Sequence, residues 1–430
     1  MLKTFRRGVH PSSRKDTKDV ALTEFSTPDV VYICLSQHIG QPSEPVVKAG
    51  DEVKVGTLIA KQSGFVSSNI YSSVSGKVRG IEKRETAQGI KVNHVVIEND
   101  GLYDEEFLDK LENPTEEEIL ARITEAGIVG MGGATFPTQV KYSPKSSVDT
   151  LIINGAECEP FITCDYRLML EKADEFIEGV RLIKKVLGVD KAYIGIENNK
   201  KPAIDLLLSK NLEDIQIVPL KVKYPQGAEK QLIYAVTSRK VPAGGLPMDV
   251  GCVVSNVHTA YSIYEAVKLG KPLFMRAMTV SGNGVEHKGN YWVRNGVTAE
   301  YIFEQTRGNA NGEIKKVISG GPMMGFALDS LDVATTKGSS SLLFLTESEI
   351  NLAPTTACIN CATCASVCPM NLMPMFIEKA TQHGEFDMAS KYGVMNCIEC
   401  GSCAYSCPAK RPLVQAIKLA KKEIRKRGIK

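Results

Sequence analysis

Cys358-Ile359-Asn360-Cys361-Ala362-Thr363-Cys364-Ala365-Ser366-Val367-Cys368-Pro369 and Cys397-Ile398-Glu399-Cys400-Gly401-Ser402-Cys403-Ala404-Tyr405-Ser406-Cys407-Pro408 write one rule twice. Three cysteines come at three-residue spacing, and a fourth stands four residues on, before proline. This is the bacterial ferredoxin run, in which three close thiolates hold one [4Fe–4S] cube and the fourth reaches the other. A cube needs thiolates from several directions, and a short looping segment supplies three. The rule assigns Cys358, Cys361, Cys364 and Cys407 to one cluster, and Cys397, Cys400, Cys403 and Cys368 to the other. Structural zinc is the alternative, since thiolate pairs also hold that ion. Zinc ribbons show separated pairs or histidines, whereas these runs are unbroken and lack histidine. A disulfide framework does not fit, because nothing in the sequence suggests secretion.

Working outward, the chain has 430 residues, enough for about three domains. Hydrophobic residues make up 43% and charged residues 23%, so ordinary globular cores are expected. A formal net charge of +3 excludes nucleic acid as an implied partner. No apolar run is long enough to span a bilayer, and the first residues carry no signal-peptide core. A soluble or peripheral chain in a reducing compartment is expected. Cys34, Cys158, Cys164 and Cys252 lie outside the runs and read as small buried hydrophobes. His38 reads as structural.

Residues 1–105 read as all-β. Short β-rich runs such as Val53-Lys54-Val55 and Leu58-Ile59-Ala60 are split by Gly-Asp and Gly turns. They resemble the lipoyl or biotinyl hammerhead, a barrel-sandwich hybrid, without its Met-Lys-Met hairpin. A helix is expected to start at Asn113-Pro114-Thr115, with a polar cap, proline near the first turn and acids after it, and to run to about Ala126. Gly130-Met131-Gly132-Gly133-Ala134-Thr135-Phe136-Pro137-Thr138 follows. Three glycines in four positions let backbone N–H groups converge on an anion such as a phosphate. A flexible turn is the alternative. Beyond it, α/β units run to residue 273, with a single helix expected over 168–187. Polar residues follow several apolar strands: Asn154-Gly155-Ala156-Glu157-Cys158-Glu159, then Asn256-Val257-His258-Thr259. Ligands of open α/β sheets sit at such carboxyl ends.

These stretches, in this order, resemble the flavin-binding subunit of respiratory complex I, and more closely the RnfC family of ferredoxin–NAD oxidoreductase complexes. The resemblance spans nearly the whole chain and rests on the hammerhead-like start, Gly-Gly-Ala-x-Phe-Pro-Thr, Asn-Gly-Ala-Glu-Cys-Glu-Pro, Tyr-Pro-Gln-Gly-Ala-Glu-Lys-Gln from Tyr224, Asn-Val-x-Thr and the paired runs. It implies a multidomain α/β plus β fold. The parts are a barrel-sandwich hybrid (1–105), a Rossmann-like FMN/NAD domain (106–273), an SLBB-type β-grasp domain (274–345) and a helical two-cluster domain (346–430). It implies non-covalent FMN approached by Gly130, Gly132 and Gly133, with Lys141 near its ring or phosphate. Asn154 and Glu157 would bond the ring or ribityl chain, Tyr224 and Gly227 would line it, and Asn256 with Thr259 would hold the phosphate. Phe136, Glu159 and Glu229 would face NAD(H). Met131, Thr135, Ala156 and Ala228 depart from the complex I pattern. The implied setting is the cytoplasmic face of a membrane complex, beside other subunits that move sodium or protons. A subunit of a soluble NAD-linked hydrogenase or dehydrogenase is the nearer alternative, and a zinc-stapled scaffold the remoter one.

Overall fold

The computed structural model describes residues 2–429. Four sheets and a terminal helical layer follow one another along the chain. The first β unit is two small antiparallel sheets. Val30–Cys34, Lys91–Asn99, Gly76–Glu85 and Glu52–Val53 form one, and Glu44–Pro45, Leu58–Lys61 and Ile70–Tyr71 the other. Alternating residues of both close a core of Val31, Ile33, Ile59, Val78, Val95 and Ile97.

A four-stranded parallel sheet follows, ordered Ile215–Leu220, Lys191–Glu197, Thr150–Gly155, Cys252–Asn256. Its strands are buried on both faces, which explains why they read as continuous apolar runs rather than alternating ones. The helix ahead of it, Glu116–Glu125, starts at Thr115 with a full capping box to Glu118. The single helix expected over 168–187 is two, Cys164–Glu171 and Ala173–Leu187, broken at Lys172. The break frees the second helix to lie on Val257–Lys268, so close that a Cβ at Gly179 would stand 1.9 Å from the Ala260 carbonyl oxygen. The first helix meanwhile aims Asp165 at Asn256.

The third unit is a six-stranded mixed sheet with the helix Ala299–Gln305 against it. Its edge strand, Leu22–Glu24, pairs in parallel with Gly289–Arg294 and comes from far earlier in the chain. Trp292 packs under it against His258 and Tyr261. Residues 2–25 therefore form a strap. Lys3 bridges Leu220, Val9 bridges Tyr224, Gly8 donates to the Val367 carbonyl at 2.9 Å, and Phe161 donates to that of Ser13. The C-terminal unit is helical: Thr363–Ser366, Pro374–Gln382, Phe386–Lys391, Ser402–Tyr405 and Leu413–Arg427. Leu413, Ile417, Ala420 and Ile424 of the last helix are buried, as its 3.6-residue period requires. Among the described residues no helix is long and apolar enough to cross a membrane.

Candidate functional site

The two cysteine runs fold alike. Asn360 and Glu399, equivalent in the repeat, both take left-handed backbone (φ 55° and 57°), as do Ala362 and Gly401. Non-glycine residues adopt this region at a cost of about 1–2 kcal/mol each. It wraps each run around a common space, with its thiols pointing inward. Cys358, Cys361, Cys364 and Cys407 line one such cleft with Met375 and Leu413. Cys368 lies instead with Cys397, Cys400 and Cys403, near enough for their charges to act on one another. The fourth cysteine of each run thus stands beside the other triplet. Backbone N–H groups already point at sulfur: Leu372 at Cys368 and Glu399 at Cys397, both at 3.3 Å. Cys358 and Cys361 are exposed, whereas Cys400 and Cys403 are buried. Eight soft thiolates in two cages, with backbone donors on the sulfurs, fit two [4Fe–4S] clusters.

The second set gathers at the carboxyl ends of the parallel strands. Gly130 to Phe136 form a hairpin-like loop closed by the Gly130 N–H on the Phe136 carbonyl, 2.8 Å. Gly132 has φ +82°, and a Cβ there would press on Asn256 Nδ2 at 2.8 Å. Gly133 is different, since a Cβ there would meet nothing within 4 Å. The loop apex therefore faces open space with bare backbone. Asn154, near the end of the strand Thr150–Gly155, donates to the Gly227 carbonyl at 2.8 Å and accepts from the Ala156 N–H. Lys141 and Glu229 pair at 2.9 Å, both partly exposed, and Phe136 is half-buried on the glycine loop.

Four residues expected at the site also bond within the protein. Of Asn256 and Thr259, expected to hold a phosphate, Asn256 caps the helix Val257–Lys268 through His258 N–H and donates to Asp165 at 2.6 Å. Thr259 accepts from the Met131 N–H at 2.9 Å and donates to the Val129 carbonyl, so its side chain fastens the glycine loop to the helix start. Tyr224, expected against the flavin, is 1% exposed and donates to the Cys400 carbonyl at 2.7 Å. Glu159, expected to face nucleotide, accepts from Tyr224 Oη at 3.3 Å and from the Met323 N–H at 3.0 Å. The flavin-domain loops are therefore tied directly to a cluster ligand.

Beneath the site lie charges that no local pattern announces. Lys15, from the strap, donates to the carbonyls of Glu157 at 2.9 Å, Glu159 at 2.8 Å and Ile162. Lys200 holds the Ala156 carbonyl at 2.6 Å. Glu157 accepts from the Asp165 N–H at 2.7 Å through one oxygen. Its other oxygen, and Oδ1 of Asp165, are buried without partners. Burial lifts the Glu157 carboxyl to about 7 and raises that of Asp165, while nearby lysines and Arg276 oppose it. Native interiors seldom leave such oxygens unpaired, and a polyhydroxylated ligand would bring the missing donors. With the open glycine apex, this donor set fits FMN.

Known proteins agree with this layout. Residues 123–265 match the Nuo51 FMN-binding domain, 3–102 the RnfC barrel sandwich hybrid domain and 351–408 the 4Fe-4S dicluster domain. Across its whole length the chain is 47% identical to the RnfC-type component of the proton-translocating ferredoxin:NAD(+) oxidoreductase complex of Clostridium ljungdahlii, covering 95% of that protein. It is 44% identical over 98% of its length to the counterpart in the Na(+)-translocating complex of Acetobacterium woodii, covering 97% of that protein. Against the corresponding component of the ion-translocating oxidoreductase complex of Rhodobacter capsulatus the identity is 39%, over 99% of this chain and 84% of the relative. A zinc scaffold is thereby set aside: the chain belongs to the RnfC family of ion-translocating ferredoxin–NAD oxidoreductase complexes.

Proposed function

We propose that this chain is the NAD(H)-facing electron-transfer subunit of a membrane complex that links ferredoxin and NAD to sodium or proton movement. It would sit on the cytoplasmic face, bound to other subunits. Bound FMN converts between the two-electron chemistry of nicotinamide and the one-electron chemistry of clusters. The chain's own residues do the rest. Backbone N–H groups of Gly132 and Gly133 cradle the phosphate, reinforced by the helix start that Asn256 caps. Asn154 and Glu157 orient the ring or ribityl chain, and Gly227 lets it approach. Lys141 and Glu229, paired in the cleft, open toward the nicotinamide nucleotide with Phe136, while Glu159 steadies Tyr224 at the nucleotide site's rear. Cys397, Cys400, Cys403 and Cys368 hold one cluster, and Cys358, Cys361, Cys364 and Cys407 the other. The four units follow the boundaries 1–105, 106–273, 274–345 and 346–430, with the strap reaching across them.

The observation that carries this reading is the Tyr224–Cys400 hydrogen bond, which ties the flavin loop to the backbone of a cluster ligand. Anaerobic purification tests it. FMN, iron and sulfide should all be present, and NADH should bleach the flavin and then the cluster absorbance. Stoichiometric zinc without sulfide, or flavin that NADH leaves oxidised, would overturn it.

A further inference from the structure

Lys337 is fully buried, with no carboxylate against it. Its ammonium donates to the Ser68 hydroxyl at 3.3 Å, to the Asn69 carbonyl and to the Gly127 carbonyl at 2.7 Å. Those three acceptors belong to two different domains, and Lys337 itself belongs to a third. Burial lowers the Lys337 amine to about 7, and the charged form that remains persists only where fixed dipoles replace water. Here the dipoles are backbone groups beside the glycine loop.

The surrounding contacts point the same way. Asn69 Nδ2 donates to the Glu125 carbonyl at 3.0 Å, and the Tyr71 hydroxyl reaches the same oxygen. Gln139 Nε2 donates to the Ser67 carbonyl at 2.8 Å. The hammerhead segment 67–71 therefore grips the chain on both flanks of the glycine loop. Gly127 is left-handed, and a Cβ there would stand 2.2 Å from the Asn69 carbonyl oxygen. On the other side Gly338, next to Lys337, lies so near Thr135 that a Cβ would be 2.5 Å from its methyl. The segment 67–71 is itself set by His38, which accepts from the Ser68 N–H at 3.1 Å, and by Ser43, which donates to the Ser68 carbonyl at 2.7 Å. Gln37 accepts from the Lys337 N–H at 2.8 Å, and Arg276 donates to its carbonyl at 3.0 Å.

We propose that the hammerhead-like domain is a brace for the glycine loop, and that Lys337 is the positioning residue joining brace and loop. Both ends of the loop are pinned while its apex at Gly133 stays bare, so the N–H groups are set before a ligand arrives. A domain of this fold without a lipoyl-bearing lysine hairpin thereby acquires a role in binding FMN. This inference rests on the flavin assignment to that loop.

The experiment uses the full chain carrying its clusters, freed of flavin, as wild type, Lys337→Met, Gln139→Ala and Asn69→Ala. Hydrogen exchange of amides 127–139 is read first, and FMN affinity by fluorescence quenching second. In Lys337→Met, exchange across 127–139 should rise about tenfold or more, as for a segment that opens locally, while the parallel strands keep their protection. FMN affinity should weaken about tenfold, and Gln139→Ala and Asn69→Ala should move both readouts the same way by less. Folded Lys337→Met with wild-type loop exchange and wild-type FMN affinity would overturn the proposal. So would a variant that only melts earlier, with neither readout moved. Should Lys337→Met fail to fold, the partly exposed Gln139 and Asn69 decide the matter by the same criteria. Wild-type protein that takes up no FMN would refute the flavin assignment instead, leaving loop exchange to judge the brace.

Discussion

Gly132 and Gly133 are neighbours with opposite surroundings, and substitution separates their roles. A Cβ at Gly133 meets no protein atom within 4 Å and requires no left-handed backbone. Gly133→Val should therefore leave the stability of the flavin-free protein within about 0.5 kcal/mol of wild type. The same side chain occupies the space above the loop's N–H groups, displacing the phosphate from at least one of them. A hydrogen bond to a charged group contributes about 1.5–3 kcal/mol, so FMN affinity should fall roughly 10- to 150-fold. Gly132→Ala reverses the pattern. Its left-handed backbone costs about 1–2 kcal/mol for alanine. The added Cβ also displaces Asn256 from its 2.6 Å bond to Asp165. Thermal unfolding of the apoprotein and FMN titration by fluorescence quenching measure both effects. A Gly133→Val protein that binds FMN with wild-type affinity would refute the placement of the phosphate at this apex. Precipitation with acid should free the flavin from wild type, because no residue is assigned as a covalent attachment point.

Iron and acid-labile sulfide should each approach about eight per chain, as two cubes require. Cys368→Ser should damage the cluster of Cys397, Cys400 and Cys403, and EPR showing loss of the other would reverse the assignment. Glu229→Ala releases Lys141 from its 2.9 Å partner. It should raise KM for NADH severalfold while FMN stays bound, and unchanged kinetics would remove Glu229 from the site. Tyr224→Phe leaves the Cys400 carbonyl without its 2.7 Å donor, at a cost of about 1–3 kcal/mol, and should slow cluster reduction by NADH in rapid mixing without slowing flavin reduction. Burial, aided by the Lys337 charge, lowers His38 to about 4. The unfolded chain therefore takes up a proton that the folded one refuses. Hammerhead stability should fall as pH drops from about 6.5 to 4 and level off below, and His38→Gln should flatten that slope in hydrogen exchange of Val30–Cys34.

The cluster cages were legible because their chemistry is local. Three thiolates within seven residues and a proline after the fourth state the ligand set whatever the rest of the chain does. The glycine loop was legible for the same reason, and so was the apolar face of Leu413–Arg427. Tyr224, Glu159, Asn256 and Thr259 were found as members of polar turns, but their partners were not. Each bonds to a group remote in sequence: Cys400 lies 176 residues from Tyr224, and Met131 128 residues from Thr259. Periodicity reports which face is buried and says nothing about which distant carbonyl waits there. Lys15, Lys200, Asp165 and Lys337 were missed altogether. Each is a single polar residue in an ordinary setting, and only the folded chain surrounds it with acceptors. The one available signal, a lysine with small residues on both sides at Lys337-Gly338-Ser339, also fits any surface turn.

The strap has a consequence for the order in which the molecule can be completed. Arg7 donates to the Ala365 carbonyl across 358 residues of sequence. At roughly 5–20 residues per second, the ribosome exposes the strap on the order of twenty to seventy seconds before that acceptor exists. The hammerhead and the parallel sheet can condense in that interval, and Lys3, Val9 and Lys15 can meet their partners there. Arg7 and Gly8 must wait for the Ala365 and Val367 carbonyls, so a segment made ahead of all these units is among the last to be fully docked.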